Sequence, residues 1–211
     1  MAIEIRMMTL GMVSTNAYLV GDTETKEAIL IDPVDKAEII KNAADEAGWT
    51  IKLILATHAH FDHVLASKKL KELTGAPFWI HEECVSMLET LPMQGKLFGL
   101  GDFPEAAKPD RLLKSEPEKI EVGAIKLETL YTPGHAVGHL SFYMREQKIV
   151  FSGDSLFFSS IGRTDLPGGN LELLLKSIRE KLFPLGDDVN VLPGHMQQTT
   201  IGFERENNPF L

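Results

Sequence analysis

Three imidazoles and a carboxylate fall within the short stretch Thr57-His58-Ala59-His60-Phe61-Asp62-His63. Neutral ring nitrogen and carboxylate oxygen are the donors that borderline divalent metals take. In an extended segment alternate side chains share a side, so His58 and His60 can converge on one ion while Phe61 turns away. Asp62 and His63 follow where a strand gives way to a helix, and a second ion could sit there. A solvated histidine-rich turn would explain one or two of these residues but not the cluster.

The same residue types recur at three more strand ends: His135 in Tyr131-Thr132-Pro133-Gly134-His135, Asp154 in Ser152-Gly153-Asp154, and His195 in Pro193-Gly194-His195. Each has a glycine beside it, which lets the backbone bend closely around a centre. Asp32, before Pro33, reads either as a turn former or as a carboxylate that braces a metal-bound histidine from behind. His81, between a short strand and an acidic helix start, reads as structural and is left out of the ligand set. Cys84 is the only cysteine, so no intramolecular disulfide forms. Its neighbours Glu82 and Glu83 would raise a thiol pKa, which makes it a buried helix residue rather than a nucleophile.

The elements that must carry these residues alternate between strand and helix. Thr15–Val20 and Ala28–Ile31 read as strands, the second running into Asp32. A helix is expected from about Asp35 as N-cap, with Ile39, Ile40, Ala43, Ala44 and Ala47 on one face and Gly48 as its stop. The apolar run Ile51–Ala56 is the strand that delivers the histidine cluster at its C-terminal end, where open α/β sheets place their chemistry. Val64–Leu73 continues as an amphipathic helix closed by Gly75, and Pro77–Ile80 is another short strand. Residues 91–109 lack periodicity and suit a loop, either a lid or an ordinary long connection. Ile120–Leu130 suits one or two strands with a turn at Gly123. Leu140–Tyr143 and Lys148–Phe151 form a hairpin that feeds Asp154, and Val189–Leu192 runs into His195.

With 211 residues, the chain is long enough for one well-cored domain, and nothing forces a split, so 1–211 is expected to be a single domain. A net charge of -9 argues against a nucleic-acid surface. No apolar run approaches a membrane span, and Met1–Arg6 lacks the layout of a secretion signal, so a cytoplasmic location with no membrane partner is expected.

Taken together, His58-x-His60-x-Asp62-His63, the Pro-Gly-His of His135, the Ser-Gly-Asp of Asp154, the Pro-Gly-His of His195 and the Ile31-Asp32-Pro33 block resemble the metallo-β-lactamase-fold hydrolases. The blocks occur in the family's order and span nearly the whole chain. Within that superfamily the chain is similar to the glyoxalase II group, through Thr132-Pro133-Gly134-His135-Ala136-Val137-Gly138-His139 and Gly162-Arg163-Thr164-Asp165. The C-terminal Gly202–Phe210 segment resembles the short single-domain bacterial members.

The resemblance implies an α/β fold, a four-layer αβ/βα sandwich of two mixed β-sheets flanked by helices. It also implies two divalent metal ions, zinc by default with iron or manganese as alternatives. One ion would be held by His58, His60 and His135, the other by Asp62, His63 and His195, with Asp154 between them; Asp62 and Asp154 are the carboxylates carried over as catalytic. His139 matches a position outside the ligand set, where it orients the loop or contacts substrate. Arg163 either grips a substrate carboxylate or pairs with Asp165. Asp32 is carried over as a support behind the ligands.

Seven ligands shared by two ions leave open positions, the mark of a catalytic site. A water bridging two dications becomes hydroxide near neutral pH, and it would attack a thioester carbonyl. The implied activity is hydrolysis of a small-molecule thioester such as S-lactoylglutathione. Alternatives are a persulfide dioxygenase with mononuclear iron, a lactonase at the same dinuclear site, and a metal store without turnover. The two-domain members of the group carry a helical C-terminal domain that helps bind glutathione, whereas only a short helix follows His195 here.

Overall fold

Continuous apolar runs, buried on both faces, build the central strands. A computed structural model describes residues 3–211. They fall into two compact units, one holding the chain up to Leu113 together with Glu121–Ile125, the other Lys114–Ile120 with Lys126–Leu211.

In the first unit, β1 (Ile3–Leu10), β2 (Thr15–Asp22) and β3 (Glu27–Ile31) form an antiparallel meander. The helix α1 (Ala37–Glu46) crosses over to β4 (Thr50–Leu55), which pairs parallel to β3. Two short helices follow, α2 (Phe61–Val64) and α3 (Ser67–Thr74), then β5 (Phe78–His81), the helices α4 (Val85–Glu89) and α5 (Leu91–Leu97), and β6 (Arg111–Leu113). The sheet is six-stranded and mixed, in the order β1-β2-β3-β4-β5-β6. Its core gathers Leu19, Leu30, Ile40, Ile54, Leu70 and Phe78.

The second sheet takes β7 (Lys119–Val122), β8 (Ile125–Tyr131), β9 (Leu140–Met144), β10 (Ile149–Gly153), β13 (Asn190–Pro193) and β14 (Thr199–Thr200), in the order β14-β13-β10-β9-β8-β7. It is also mixed: β10 pairs parallel to β13 and antiparallel to β9. The small hairpin of β11 (Leu156–Phe157) and β12 (Ser160–Ile161) and the helices α6 (Leu171–Ser177) and α7 (Ile201–Asn207) complete this unit. Leu174, Ile178, Val189, Val191 and Ile201 form its core. No helix among the described residues is long and apolar enough to cross a membrane.

Several boundaries differ from the sequence expectation for physical reasons. The strand β1 was not anticipated, because the adjacent Met7 and Met8 blur its alternation and none of its residues is fully buried. Asp35 does not cap α1. Its carboxylate accepts from the Lys36 N–H, Lys36 sits at φ 53, and the helix starts at Ala37. The buried stripe is then Ala37, Ile40 and Ala44, which turns Ile39 out to solvent. The expected helix Val64–Leu73 is two pieces, with α3 ending on Gly75 at φ 70. Part of the 91–109 loop is helical: in α5, Leu91 and Gly95 face inward, and Gly95 lies so close to the Gly101 carbonyl that a Cβ would come within 2.3 Å of it.

Candidate metal-binding site

The first unit supplies four donors from one turn. The strand β4 ends at Leu55, so His58 and His60 stand on irregular chain beyond it rather than in the strand itself. They still converge: His58 Nε2 lies 3.0 Å from His60 Nδ1, and the rings meet edge on. Asp62 and His63 are carried by α2, with His63 Nε2 3.4 Å from Asp62 Oδ2.

Behind this turn stands the fully buried Asp32. It adopts φ 58, a left-handed conformation that Asp tolerates better than most residues, and its own N–H donates to the Leu55 carbonyl. Its Oδ1 accepts the Thr57 N–H at 2.7 Å, and its Oδ2 accepts the Thr57 hydroxyl at 3.0 Å and His63 Nδ1 at 2.9 Å. A carboxylate only accepts, so His63 carries its proton on Nδ1 and leaves Nε2 as a lone pair. Because the Thr57 hydroxyl gives its proton to Asp32, it accepts from His58 Nδ1 at 3.0 Å, and His58 also presents Nε2. One carboxylate thus sets the tautomer of two histidines.

The second unit draws its donors from three separate strand ends. His135 follows β8, Asp154 follows β10 and His195 follows β13. Asp154 Oδ2 lies 3.5 Å from His135 Nε2 and 3.4 Å from His195 Nε2. His135 Nδ1 donates to the Arg163 carbonyl at 2.8 Å, so its Nε2 again presents a lone pair. Gly162 is required here, because a Cβ would fall 1.9 Å from the Asp154 carbonyl oxygen and 3.0 Å from His135 Nδ1. Gly134, at φ 128, packs directly on the backbone of Leu174.

These separations fit metal ligation. An N–H···O bond spans roughly 2.7–3.2 Å, whereas ligands bound at ~2.0–2.2 Å on a tetrahedral ion stand roughly 3.3–3.5 Å apart. The imidazole–carboxylate pairs fall in the second range, and the Nε2 lone pairs are turned toward the carboxylates. The donor set suits a divalent ion.

His139 is fully buried, with both ring nitrogens bonded inside the chain, to the Thr132 hydroxyl and the Asp154 N–H. It therefore has no nitrogen left for substrate, and loop orientation is the role its position supports. Arg163 is 60% exposed and makes a two-bond pair with Asp165, which holds the Asp165 carboxyl down to about 2. His81 is buried, and its Nδ1 accepts the Glu83 N–H. Burial pushes the Cys84 thiol up to about 12, so it stays protonated. Three supporting residues escaped sequence reasoning: Thr15 donates to Asp62 Oδ2 at 2.7 Å, Gln94 accepts the Phe61 N–H, and Thr132 bonds His139. Thr15 reads as an ordinary strand former and Gln94 as a surface polar, so no local signal marks them.

Comparison with known proteins agrees with this arrangement. The family model described as the metallo-beta-lactamase superfamily matches residues 10–195, a span that includes every donor named above. The chain belongs to the metallo-beta-lactamase superfamily. It is 40% identical to the hydroxyacylglutathione hydrolase GloC of Haemophilus influenzae over 208 residues, covering 98% of this chain and 97% of that protein. Among solved structures it is similar to the BLEG-1 B3 metallo-beta-lactamase, with a TM-score of 0.92, 37% identity and 99% of both chains covered. The structure of TTHA1623 in a di-iron-bound form aligns with a TM-score of 0.87 at 36% identity, over 98% of this chain and 100% of that one. The two large mixed sheets with their helices are thus the metallo-β-lactamase fold, and the coarse activity that goes with membership is metal-dependent hydrolysis.

Proposed function

We propose that the two donor sets work as one dinuclear centre that hydrolyses acyl thioesters, with S-lactoylglutathione as the first candidate. His58, His60 and His135 would hold one ion, Asp62, His63 and His195 the other, and Asp154 would contribute to both. The observation that carries this reading is the Asp154 Oδ2 atom, 3.5 Å from His135 and 3.4 Å from His195, one ligand of each proposed ion. The 40% identity to a hydroxyacylglutathione hydrolase supports the choice of substrate.

When bound, two divalent ions supply Lewis acidity and a water whose pKa falls from ~15.7 toward ~7, so no protein nucleophile is needed. The chain's own part is to aim the lone pairs. Asp32 and Thr57 do so for His58 and His63, and the Arg163 carbonyl does so for His135. Zinc is the metal we favour, since imidazole and carboxylate donors suit it.

The test measures metal per chain and hydrolysis of S-lactoylglutathione, a glutathione persulfide and an acyl-homoserine lactone, for the native protein and Asp154→Ala. The expected result is two ions per native chain, a preference for the thioester, and loss of at least one ion and about 100-fold in rate in the variant. A variant that keeps its metal and its rate would overturn the dinuclear reading.

A further inference from the structure

In the stretch Thr132–His139, Thr132 and His139 bury polar side chains that take no part in the proposed ligation. The backbone explains why something is needed near them. Strand β10 departs from its ladder between Phe151 and Gly153, and Gly153 turns to φ 51, so the chain leaves the sheet just before Asp154. A buried N–H at that point needs an acceptor. His139 Nε2 supplies it, at 3.0 Å from the Asp154 nitrogen.

A backbone N–H can only donate, so His139 Nε2 must present its lone pair and the ring proton must sit on Nδ1. That proton goes to the Thr132 hydroxyl at 2.9 Å. Thr132 then has its own proton to give to Ser141 Oγ at 2.9 Å, and Ser141 in turn donates to the Ser152 carbonyl at 3.4 Å. Thr132, His139, Ser141 and Ser152 are all fully buried, so water cannot substitute for any of them. The Thr132 N–H also donates to the His139 carbonyl, which closes the loop that carries His135.

We infer that Thr132 and His139 form a tautomer clamp: the Asp154 N–H keeps the His139 ring proton on Nδ1, Thr132 accepts that proton, and the imidazole so held fixes the Asp154 backbone in place for ligation. His139 is on this account a positioning residue for the metal site. The inference rests on the reading of Asp154 as a metal ligand, but not on the identity of the substrate. It also explains why a histidine is used. A side chain is required that accepts on one end and donates on the other, across the width of a ring.

Two variants separate the ends of the clamp. A Gln side chain places its amide near Nε2, so His139→Gln can still accept from Asp154. An Asn side chain reaches only as far as Nδ1, so His139→Asn keeps the Thr132 bond and loses the Asp154 one. In competition with a chelator, His139→Asn is expected to release zinc at about 10–100-fold lower chelator concentration, while His139→Gln holds it as the native protein does. A second readout needs neither metal nor turnover: long-range nitrogen–proton correlation spectra of the metal-free protein should show His139 as the Nδ1–H tautomer, and Thr132→Val, which leaves the Asp154 N–H in place, should keep that tautomer while releasing zinc at about 10-fold lower chelator concentration.

Equal zinc retention by the Asn and Gln variants, or a native His139 found as the Nε2–H tautomer, would overturn the clamp. If either His139 variant does not fold, the spectra of the native protein and of Thr132→Val still decide. A chain that shows the Asn–Gln contrast but leaves S-lactoylglutathione intact would refute the substrate and leave the clamp standing.

Discussion

Asp32 in the first unit and Glu204 in the second are buried carboxylates on which three donors converge, and the two serve different ends. Asp32 in the first unit accepts from the Thr57 N–H, the Thr57 hydroxyl and His63 Nδ1. Glu204 in the second accepts from the Thr199 hydroxyl at 2.6 Å, the Ser159 N–H at 3.0 Å and Asn208 Nδ2 at 2.7 Å. The device is the same, because a buried carboxylate is tolerated only when its lone pairs are filled. Asp32 touches a proposed ligand directly. Glu204 instead ties α7 to the β11–β12 hairpin, whose Phe157 ring stands 5.8 Å from His195. In the first unit one hub serves both the fold and a proposed ligand; in the second, the proposed ligands are supported by a backbone carbonyl and an imidazole, and the carboxylate serves the architecture.

The largest expected effect comes from Asp32→Ala. It strands the Thr57 donors and releases the tautomer of His58 and His63, so stability should fall by about 3–5 kcal/mol in urea titrations, with metal lost in parallel. A variant that keeps its full metal complement would make Asp32 an architectural hub like Glu204. Glu204→Ala should destabilise by about 2–4 kcal/mol through the same stranded donors, yet bind zinc as tightly as the native chain wherever it is folded. Loss of zinc affinity in the folded variant would erase the distinction.

Cys84 offers a finer probe of the first hub. Its thiol is pushed up by burial, and it lies against the Ala59 N–H within the ligand turn. Alkylation at neutral pH should be slow in the native protein, faster in Asp32→Ala and unchanged in Glu204→Ala. Equal rates in all three would mean that the turn does not depend on Asp32. The smallest effect concerns Asp22, at the end of β2, whose carboxyl is held down to about 2 by the N–H groups of Glu24 and Ala124. Because its folded pKa lies below the ordinary value of about 4, its contribution is present above pH ~4 and is lost as pH falls toward 2. Asp22→Asn should flatten that part of the acid titration of stability and leave metal binding alone.

Much of this was legible in the residues themselves. The strands that end in donors have apolar runs closed by Asp, Gly or Pro, and β8, β9, β10 and β13 lie within a residue or two of where those patterns put them. The edges were harder to read. The strand β1 is half exposed, and α5 hides its inward face behind a glycine, so neither leaves a periodic apolar signature. Lys36 takes a left-handed conformation that no residue preference announces.

The heptapeptide Thr57–His63 was decided by sequence alone in one respect: four donors of the right chemistry sit within one turn of chain, so their proximity needs no fold. Which nitrogen of each ring carries its proton is a different matter. His63 takes that instruction from Asp32, 31 residues away, His135 from the Arg163 carbonyl, 28 away, and His139 from the demand of the Asp154 N–H, 15 away. Donor type belongs to a residue and travels with it along the chain. A tautomer belongs to a pair, and only the tertiary structure brings the second member within hydrogen-bond reach.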